Sequence, residues 1–339
     1  MPDAPAQDFY VHNWSPFILR FTENFGIRWY GLAYVVGFLA AWWLLLKLVR
    51  RGACELKERQ VGDFITLAAI FGVMLGGRLG YMLFYDLDDF LHNPLIFFKF
   101  LSGGMASHGG ILGLFLFTGF YAWRHRISWP GLGDNLVSVA PVGLFLGRIA
   151  NFINGELYGR ATEGPWAMKF PSELADRPED CLTAARAAAA VDPDFAAKLA
   201  DLQNADPSLS GLSHLLVESS RGNPALTAEI APFLTPRHPS QLYEAGLEGI
   251  LLFAILFTVR WRFPRLFHGI LTGMFFILYA AFRVAVENLR EPDFGKSLIL
   301  GLTRGQFYSL WMFLIGAAFI LWGLRARRRN AAPARPQAG

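Results

Sequence analysis

Charged residues are scarce in this sequence. Lys, Arg, Asp and Glu make up 17% of the 339 residues, whereas 53% of the residues are hydrophobic. Soluble proteins carry about 25% charged residues, so the composition argues against an ordinary soluble domain. Phe (31) and Trp (10) are abundant, as is typical of side chains that face lipid or its interface. The sequence therefore predicts an all-α polytopic membrane protein.

Cysteine is nearly absent. Cys54 and Cys181 are the two cysteines, and they lie far apart in the sequence. Neither a CxxC pair nor a metal-type Cys/His spacing occurs, so we expect no metal site. No histidine lies near Cys181 in the sequence, which favours a free or buried thiol over a catalytic one. No block of basic residues alternates with aromatic residues, so nucleic-acid binding is not expected.

Long apolar runs predict the membrane topology. The N-terminal residues M-P-D-A-P carry no positive charge, and the first apolar run begins only at Tyr30, so we expect no cleavable signal peptide. Windows of about 20 apolar residues predict membrane helices. We expect about seven spans, of which the third is short and rich in glycine, at 30–48, 61–85, 109–123, 132–153, 243–259, 268–288 and 305–324.

Basic residues lie in alternate segments between these spans, which by the positive-inside rule marks the cytoplasmic side. The basic segments hold Arg50, Arg51, Lys57 and Arg59, then Arg124 and Arg126, then Arg260, Arg262 and Arg265, and finally Arg325, Arg327, Arg328 and Arg329. This pattern predicts an external N-terminus and a cytoplasmic C-terminus. The predicted regions are an N-terminal arm with spans one to four at 1–159, an external domain at 160–240, spans five to seven at 241–325 and a basic tail at 326–339.

The predicted external domain is the longest polar segment. Its first part reads as a small strand and turn, and Ala-rich helical stretches follow at 181–191 and 194–203. The Ala-rich half could equally be a mobile insertion. The side chains that could form a minor core are Trp166, Phe170, Phe195, Leu215 and Phe233.

The stretch G-R-I-A-N-F-I-N-G-E-L-Y-G-R, which begins in the fourth span, is the most informative motif. Arg148 and Asn151 are three residues apart, so they share a helix face if the helix extends that far. Gly155 and Gly159 suit a helix end or a close backbone approach. A charge at bilayer depth costs at least about 2.5–3.5 kcal/mol, so such residues usually face a partner, a cavity or a substrate. The alternative is an arginine that extends from a helix end to the interface.

Polar residues recur in other predicted spans. His108 lies among glycines at the start of the third span. The glycines alone favour simple helix packing. The histidine indicates a functional role instead, because its side chain can take a proton near neutral pH. Tyr279, Arg283 and Glu287 are spaced by four and share one face of the sixth span. Arg283 and Glu287 either neutralise each other or Glu287 orients Arg283 toward an anion. With Arg78 in the second span, three intramembrane arginines suit a phospholipid headgroup.

The motifs resemble a known family. G-R-I-A-N-F-I-N-G-E-L-Y-G-R at 147–160, S-H-G-G at 107–110, R-H-P-S-Q-L-Y-E at 237–244 and F-R-V-A-V-E-N-L-R-E-P-D at 282–293 closely resemble bacterial prolipoprotein diacylglyceryl transferase. The resemblance runs from about Arg28 to the last span. The Ala-rich segment is longer than is usual in that family.

The resemblance implies an enzyme of the bacterial inner membrane. It would transfer the sn-1,2-diacylglyceryl group of phosphatidylglycerol to the lipobox cysteine of a preprolipoprotein, form a thioether and release glycerol phosphate. No metal or dissociable cofactor is implied. The family's functional positions would fall on Tyr30, His108, Arg148, Asn151, Glu156, Gly159, Tyr279, Arg283 and Glu287.

The residues suggest roles in this chemistry. Arg148 and Arg283 would clamp the phosphate, since arginine forks stabilise developing charge best in a water-poor cavity. Asn151 and Tyr279 would position the headgroup. His108 is the first choice for the base that takes the thiol proton, with Glu156 behind it. A phospholipid transporter and a membrane scaffold are the alternatives; a transporter would more often show an internal repeat, and a scaffold predicts charges that are all mutually paired.

Overall fold

The computed structural model describes residues 9–22, 26–99, 104–291, 299 and 301–331, with side chains as far as Ala326. Part of the predicted basic tail and the end of the last motif, Pro292 and Asp293, lie outside the described residues. The helices are α1 (Trp29–Arg50), α2 (Glu58–Tyr85), α3 (Leu87–His92), α4 (Ser107–His125), α5 (Trp129–Asn154), α6 (Pro178–Val191), α7 (Pro193–Ala205), α8 (Leu212–Ser220), α9 (Pro224–Ile230), α10 (Ser240–Arg262), α11 (Ile270–Glu287) and α12 (Arg304–Ala331).

Two of the helices contain a π-helical turn, and short strands complete the fold. The π-helical turns are Ala68–Met74 in α2 and Ala245–Leu251 in α10. The strands are β1 (Tyr10–Val11), β2 (Phe17–Arg20), β3 (Gly26–Arg28), β4 (Met168–Lys169) and β5 (Pro236–Arg237). Strand β4 lies between β1, to which it is parallel, and β5, to which it is antiparallel; β2 and β3 form an antiparallel pair. The predicted strand in the first part of the external domain corresponds to β4.

The all-α polytopic class is confirmed. Within the described part of the chain, six helices are long and apolar enough to cross a membrane: α1, α2, α5, α10, α11, and α12 as far as Ala326. Helix α4 has 19 residues but does not belong to this group. It corresponds to the short third span of the sequence analysis, and the count of seven spans stays a prediction.

Contacts divide the chain into two compact units. The first consists of Met1–Tyr34, Leu144–Gly249 and Ala281–Leu310, and the second of Val35–Gly143, Ile250–Ala280 and Trp311–Gly339.

In the first unit, helices α6 to α9 pack around a hydrophobic core of their own. Pro178, Pro193 and Pro224 each occupy the first position of a helix, where a missing N–H costs nothing and the fixed φ suits the helix. The side chains of Asp192 and Asn223 accept the N-terminal N–H bonds of α7 and α9, and Asn223 Nδ2 also donates to Asp192 Oδ2 at 2.8 Å. The two helix caps are therefore joined.

The alanines form the core of this subdomain rather than a mobile insertion. Ala184, Ala185 and Ala188 are fully buried, so their small side chains allow α6 to approach its neighbours closely. The larger core residues are Leu174, Cys181, Phe195, Leu199, Leu212, Leu216, Leu226, Ile230 and Leu234. Of the predicted core residues, Phe170 and Phe195 are buried, and Leu215 and Phe233 pack at the edge of the core. The prediction for Trp166 is wrong, because its side chain is exposed.

Leu216→Ala is expected to loosen this subdomain. Leu216 is fully buried, and a buried Leu→Ala change costs about 2–5 kcal/mol. Burial also raises the pKa of the Cys181 thiol, so its maleimide labelling reports core opening. In a Cys54→Ser background, Leu216→Ala should accelerate Cys181 labelling at least tenfold. The exposed Val191→Ala is the matched control and should label at the parent rate; equal rates for both variants would contradict a packed core.

In the second unit, α2 and α4 pack through glycine. Gly72, Gly76 and Gly80 on α2 meet Gly109 and Gly113 on α4, and a Cβ atom on Gly76 would lie 2.7 Å from the Gly109 carbonyl oxygen. Only glycine permits this separation of the two backbones. The packing interpretation is therefore confirmed for Gly109 and Gly113, which follow His108 in the predicted third span.

Candidate active site

An arginine–glutamate network lies in the first unit. The residues come from three segments, in which side chains four apart share a helix face. They are Arg148 of α5, Glu244 and Glu248 of α10, Arg283 and Glu287 of α11, and Arg290 just beyond α11. Three positive and three negative groups balance, which lowers the cost of placing them among apolar helices.

Arg148 is held by two glutamates of α10. Its Nη1 lies 3.1 Å from Glu244 Oε2, and its Nη2 donates to Glu248 Oε2 at 3.2 Å. The π-helical turn Ala245–Leu251 begins directly after Glu244 and contains Glu248. Such turns are frequent at functional sites.

Glu244 connects Arg148 to the other two arginines. Arg283 Nη1 donates to Glu244 Oε1 at 2.5 Å, and Arg290 Nη1 donates to the same oxygen at 3.3 Å. Arg283 Nη2 lies 3.0 Å from Glu287 Oε2, so the predicted pair on α11 is present. Glu244 therefore contacts all three arginines of the network.

Burial divides the network into two sides. The side chains of Glu244 and Glu248 are fully buried, whereas those of Arg148, Arg283 and Arg290 keep 17%, 16% and 12% of their surface exposed. Glu244 and Glu248 are thus more deeply buried than the three arginines. The arginine side chains are the members of the network that keep the most accessible surface, and arginine is the residue best suited to bidentate phosphate binding.

A second polar group surrounds Glu156. Its Oε1 accepts a bond from Tyr30 Oη at 2.6 Å and one from Asn151 Nδ2 at 2.9 Å, and Gln241 Nε2 donates to its backbone oxygen at 2.6 Å. Gly155, with φ +71°, ends α5 directly before Glu156, as the sequence predicted. Tyr30 and Asn151 therefore fix the carboxylate of Glu156.

Gly159 allows two chain segments to touch. Its N–H donates to the His238 carbonyl at 2.8 Å, and a Cβ atom there would lie 2.5 Å from the Leu289 oxygen. Gly159 also forms a backbone bridge with Arg290. The close approach that the sequence suggested is present, and it holds the backbone of a network arginine. Direct substrate binding by Gly159 stays a prediction.

His108 and Tyr279 belong to the second unit. His108 is the second residue of α4 and its side chain is exposed. The Tyr279 ring stacks on Phe275 with 5.8 Å between centroids. Their roles as base and headgroup contact stay predictions.

Arg78 has different neighbours from those expected of an arginine that binds a phospholipid headgroup. Its side chain is buried, and it donates to the carbonyl oxygens of Phe97 at 3.1 Å, Gly104 at 3.0 Å and Ile96 at 2.5 Å. Main-chain carbonyls thus take the place that was predicted for a phospholipid. Arg78 holds the segment that precedes α4.

Three members of the network were not among the residues to which the sequence pointed. Glu244 and Arg290 lie within the motifs at 237–244 and 282–293 without an assigned role, and Glu248 lies outside the motifs. The sequence did contain a signal for two of them. Glu244 and Glu248 lie four residues apart in an apolar run, where a charged carboxylate costs free energy just as an arginine does.

Comparisons with known proteins give a consistent result. The sequence model of a family described as prolipoprotein diacylglyceryl transferase matches residues 16–322. A protein of Bdellovibrio bacteriovorus is 41% identical over 335 residues, which cover 93% of this chain and 94% of that protein. A protein of Burkholderia ambifaria is 40% identical over 312 residues, or 90% and 94% of the two chains. A Shewanella protein is 36% identical over 320 residues, or 94% and 96%. All three are named phosphatidylglycerol–prolipoprotein diacylglyceryl transferase.

Proposed function

We infer that this chain, which belongs to the prolipoprotein diacylglyceryl transferase family, transfers the diacylglyceryl group of phosphatidylglycerol to a prolipoprotein. The acceptor is the lipobox cysteine thiol, and the reaction is the first step of lipoprotein maturation. The family match carries this conclusion, since it covers nearly the whole chain. The arginine–glutamate network is the structural feature that fits a phosphate-bearing substrate.

The reaction replaces a carbon–oxygen bond with a carbon–sulfur bond. The thiol gives its proton to a base, and sulfur attacks the sn-3 carbon of the diacylglyceryl group. The bond from that carbon to the phosphate oxygen breaks, and glycerol phosphate leaves as an anion. The enzyme must therefore accept one proton and stabilise the negative charge on the leaving phosphate.

Arg148 and Arg283 are proposed to bind that phosphate. Each guanidinium has five N–H donors in a plane, and glutamates on the buried side hold both in fixed orientation. Because the orientation exists before the reaction, little reorganisation is needed as charge develops. Glu244, Glu248 and Glu287 act here as positioning residues.

The base is proposed to be His108, with Glu156 as the second candidate. Glu156 is fixed by Tyr30 and Asn151, which supports a defined task for its carboxylate. Tyr30 and Asn151 both donate to Glu156, and both keep their proposed contacts with the substrate, Asn151 at the headgroup. Tyr279 keeps its proposed contact with the headgroup.

We place the protein in the bacterial cytoplasmic membrane, with the N-terminus and the segment at 160–240 on the periplasmic side and the C-terminus in the cytoplasm. The alternation of basic segments supports this orientation.

A membrane scaffold was expected to show mutually paired charges, and the network does show such pairing. The family match favours the transferase, because pairing also serves to orient arginines for an anion. A transporter has no comparable support from the described contacts.

Mass spectrometry of an acceptor peptide tests the function directly. Purified protein is incubated with phosphatidylglycerol and a lipobox peptide, and the peptide should gain one diacylglyceryl group of the lipid supplied. A peptide with serine in place of the lipobox cysteine should stay unmodified. An unmodified cysteine peptide, with correctly folded protein, would contradict the proposal.

Cys54→Ser combined with Cys181→Ser is expected to retain nearly full activity. The attacking sulfur belongs to the substrate, and burial raises the pKa of Cys54 to about 11 and also raises that of Cys181, so both thiols stay protonated at neutral pH. Initial rates of peptide modification check this. A folded but inactive double variant would indicate a covalent intermediate on the enzyme.

A further inference from the structure

An open pocket of about 530 Å³ lies in the second unit, where two membrane helices end. Arg51 directly follows α1 and Arg262 is the last residue of α10, and Arg265, Phe263 and Phe267 also line the pocket. Its volume falls within the range of small-molecule sites. Because it adjoins the ends of two spans, it faces the level of the lipid headgroups.

The pocket is positively charged without internal compensation. In the part of the chain that the structure describes, no carboxylate forms an ion pair with Arg51, Arg262 or Arg265. The adjacent Arg50, by contrast, pairs with Glu58 at 3.1 Å. The three pocket arginines therefore present their charge to whatever enters.

Aromatic rings orient two of these arginines. The Arg51 guanidinium lies 4.4 Å from the ring centroid of Trp261, and its Nε donates to the Trp261 carbonyl at 2.7 Å. Arg262 lies 5.8 Å from the centroid of Phe263. Phe263 and Phe267 have 54% and 36% of their surface exposed, so apolar rings stand beside the charges. Guanidinium groups next to exposed phenylalanine rings suit a ligand that carries both a phosphate and apolar chains.

We propose that this pocket binds the phosphate of an anionic phospholipid, with the arginines at the phosphate and the phenylalanines at the glycerol and the first acyl carbons. Basic pockets between membrane helices are suited to anionic headgroups. The pocket shares no residue with the arginine–glutamate network, and the inference does not depend on the proposed function.

Photo-crosslinking locates the lipid. The full-length protein is placed in phosphatidylcholine nanodiscs that contain a small fraction of photoactivatable phosphatidylserine, and crosslinked peptides are mapped by mass spectrometry. We expect the phosphatidylserine probe to label the peptide at 261–267 more strongly than a photoactivatable phosphatidylcholine does. Arg262→Gln with Arg265→Gln should reduce it about five- to twenty-five-fold, since each basic residue near an anionic surface contributes up to about fivefold.

Controls separate the possible outcomes. Arg50→Gln removes a neighbouring arginine that is already paired, and it should leave the labelling unchanged. Unlabelled phosphatidylserine should compete, whereas millimolar sn-glycerol 1-phosphate should not; competition by both would show a site for phosphate in general and overturn the assignment to a lipid. Equal labelling by the two photoactivatable lipids, or an undiminished signal in a folded Arg262→Gln/Arg265→Gln variant, would also overturn it. Unchanged labelling at other peptides verifies that the variant is folded.

Discussion

Arg283→Lys is expected to reduce the rate of diacylglyceryl transfer by about 10²–10³, the usual effect of losing one preorganised donor to a developing oxyanion. Lysine keeps the positive charge but replaces a planar fork with a single ammonium group. Arg283 now contacts Glu244 through Nη1 and Glu287 through Nη2. A lysine cannot hold both carboxylates and still present a fork to the phosphate.

Peptide modification at saturating and limiting phosphatidylglycerol separates binding from chemistry. A loss mainly in kcat would indicate that Arg283 acts on the leaving phosphate, whereas a loss mainly in KM would indicate ground-state binding. Arg50→Lys, at an exposed ion pair, is the matched control and should keep the parent rate. Near-normal turnover by Arg283→Lys would remove the arginine from the clamp. A thermal unfolding curve must show that a slow variant is still folded.

The charged residues that could be predicted are those that lie inside apolar runs of the sequence, where placing a charge in the membrane costs free energy. Arg148 and Arg283 interrupt apolar runs, and the spacing of Arg283 and Glu287 by four already placed them on one helix face. The helix end at Gly155 could also be predicted locally, because glycine readily adopts the positive φ found there. The contacts of Glu156 with Tyr30 and Asn151 could not be predicted in this way.

Tertiary contacts could not be predicted in this way. Glu244 lies near the start of α10, where a carboxylate is ordinary. Its contacts with three arginines arise only because α5 and the end of α11 meet it in space. Arg78 resembled the other intramembrane arginines in sequence but binds the main-chain carbonyl oxygens of Phe97 and Gly104. Local spacing therefore finds costly residues and does not assign their partners.

The Ala-rich segment shows a related limit. Its helices were predicted, but their stable packing was not, because alanine adds little to an apolar pattern. Ala184 and Ala188 are buried through close helix approach, and the joined caps of Asp192 and Asn223 lie far apart in the sequence. We expect shortening between 184 and 223 to damage this core, whereas a mobile insertion would tolerate it.

His108→Gln is expected to lower the transfer rate by about 10²–10⁴ while lipid binding survives, which is the usual contribution of a general base. Glutamine keeps part of the hydrogen-bonding capacity of histidine but cannot accept the thiol proton. A histidine base works only as the neutral imidazole, so the activity of the parent enzyme should fall toward acid pH. The variant should lose that acid limb along with its rate.

Glu156→Gln is the matched comparison, because its side-chain oxygen can still accept from Tyr30 and Asn151. If His108 is the base, Glu156→Gln should retain the acid limb of the parent and lose less activity than His108→Gln. The measurement is a pH–rate profile of all three proteins, with bound phosphatidylglycerol quantified separately. If His108→Gln keeps the rate and the acid limb while Glu156→Gln abolishes both, the proton goes to Glu156. If His108→Gln instead loses bound lipid in proportion to its rate, the imidazole holds the headgroup. The base is then Glu156, because Tyr30 and Asn151 already fix the orientation of its carboxylate before substrate arrives.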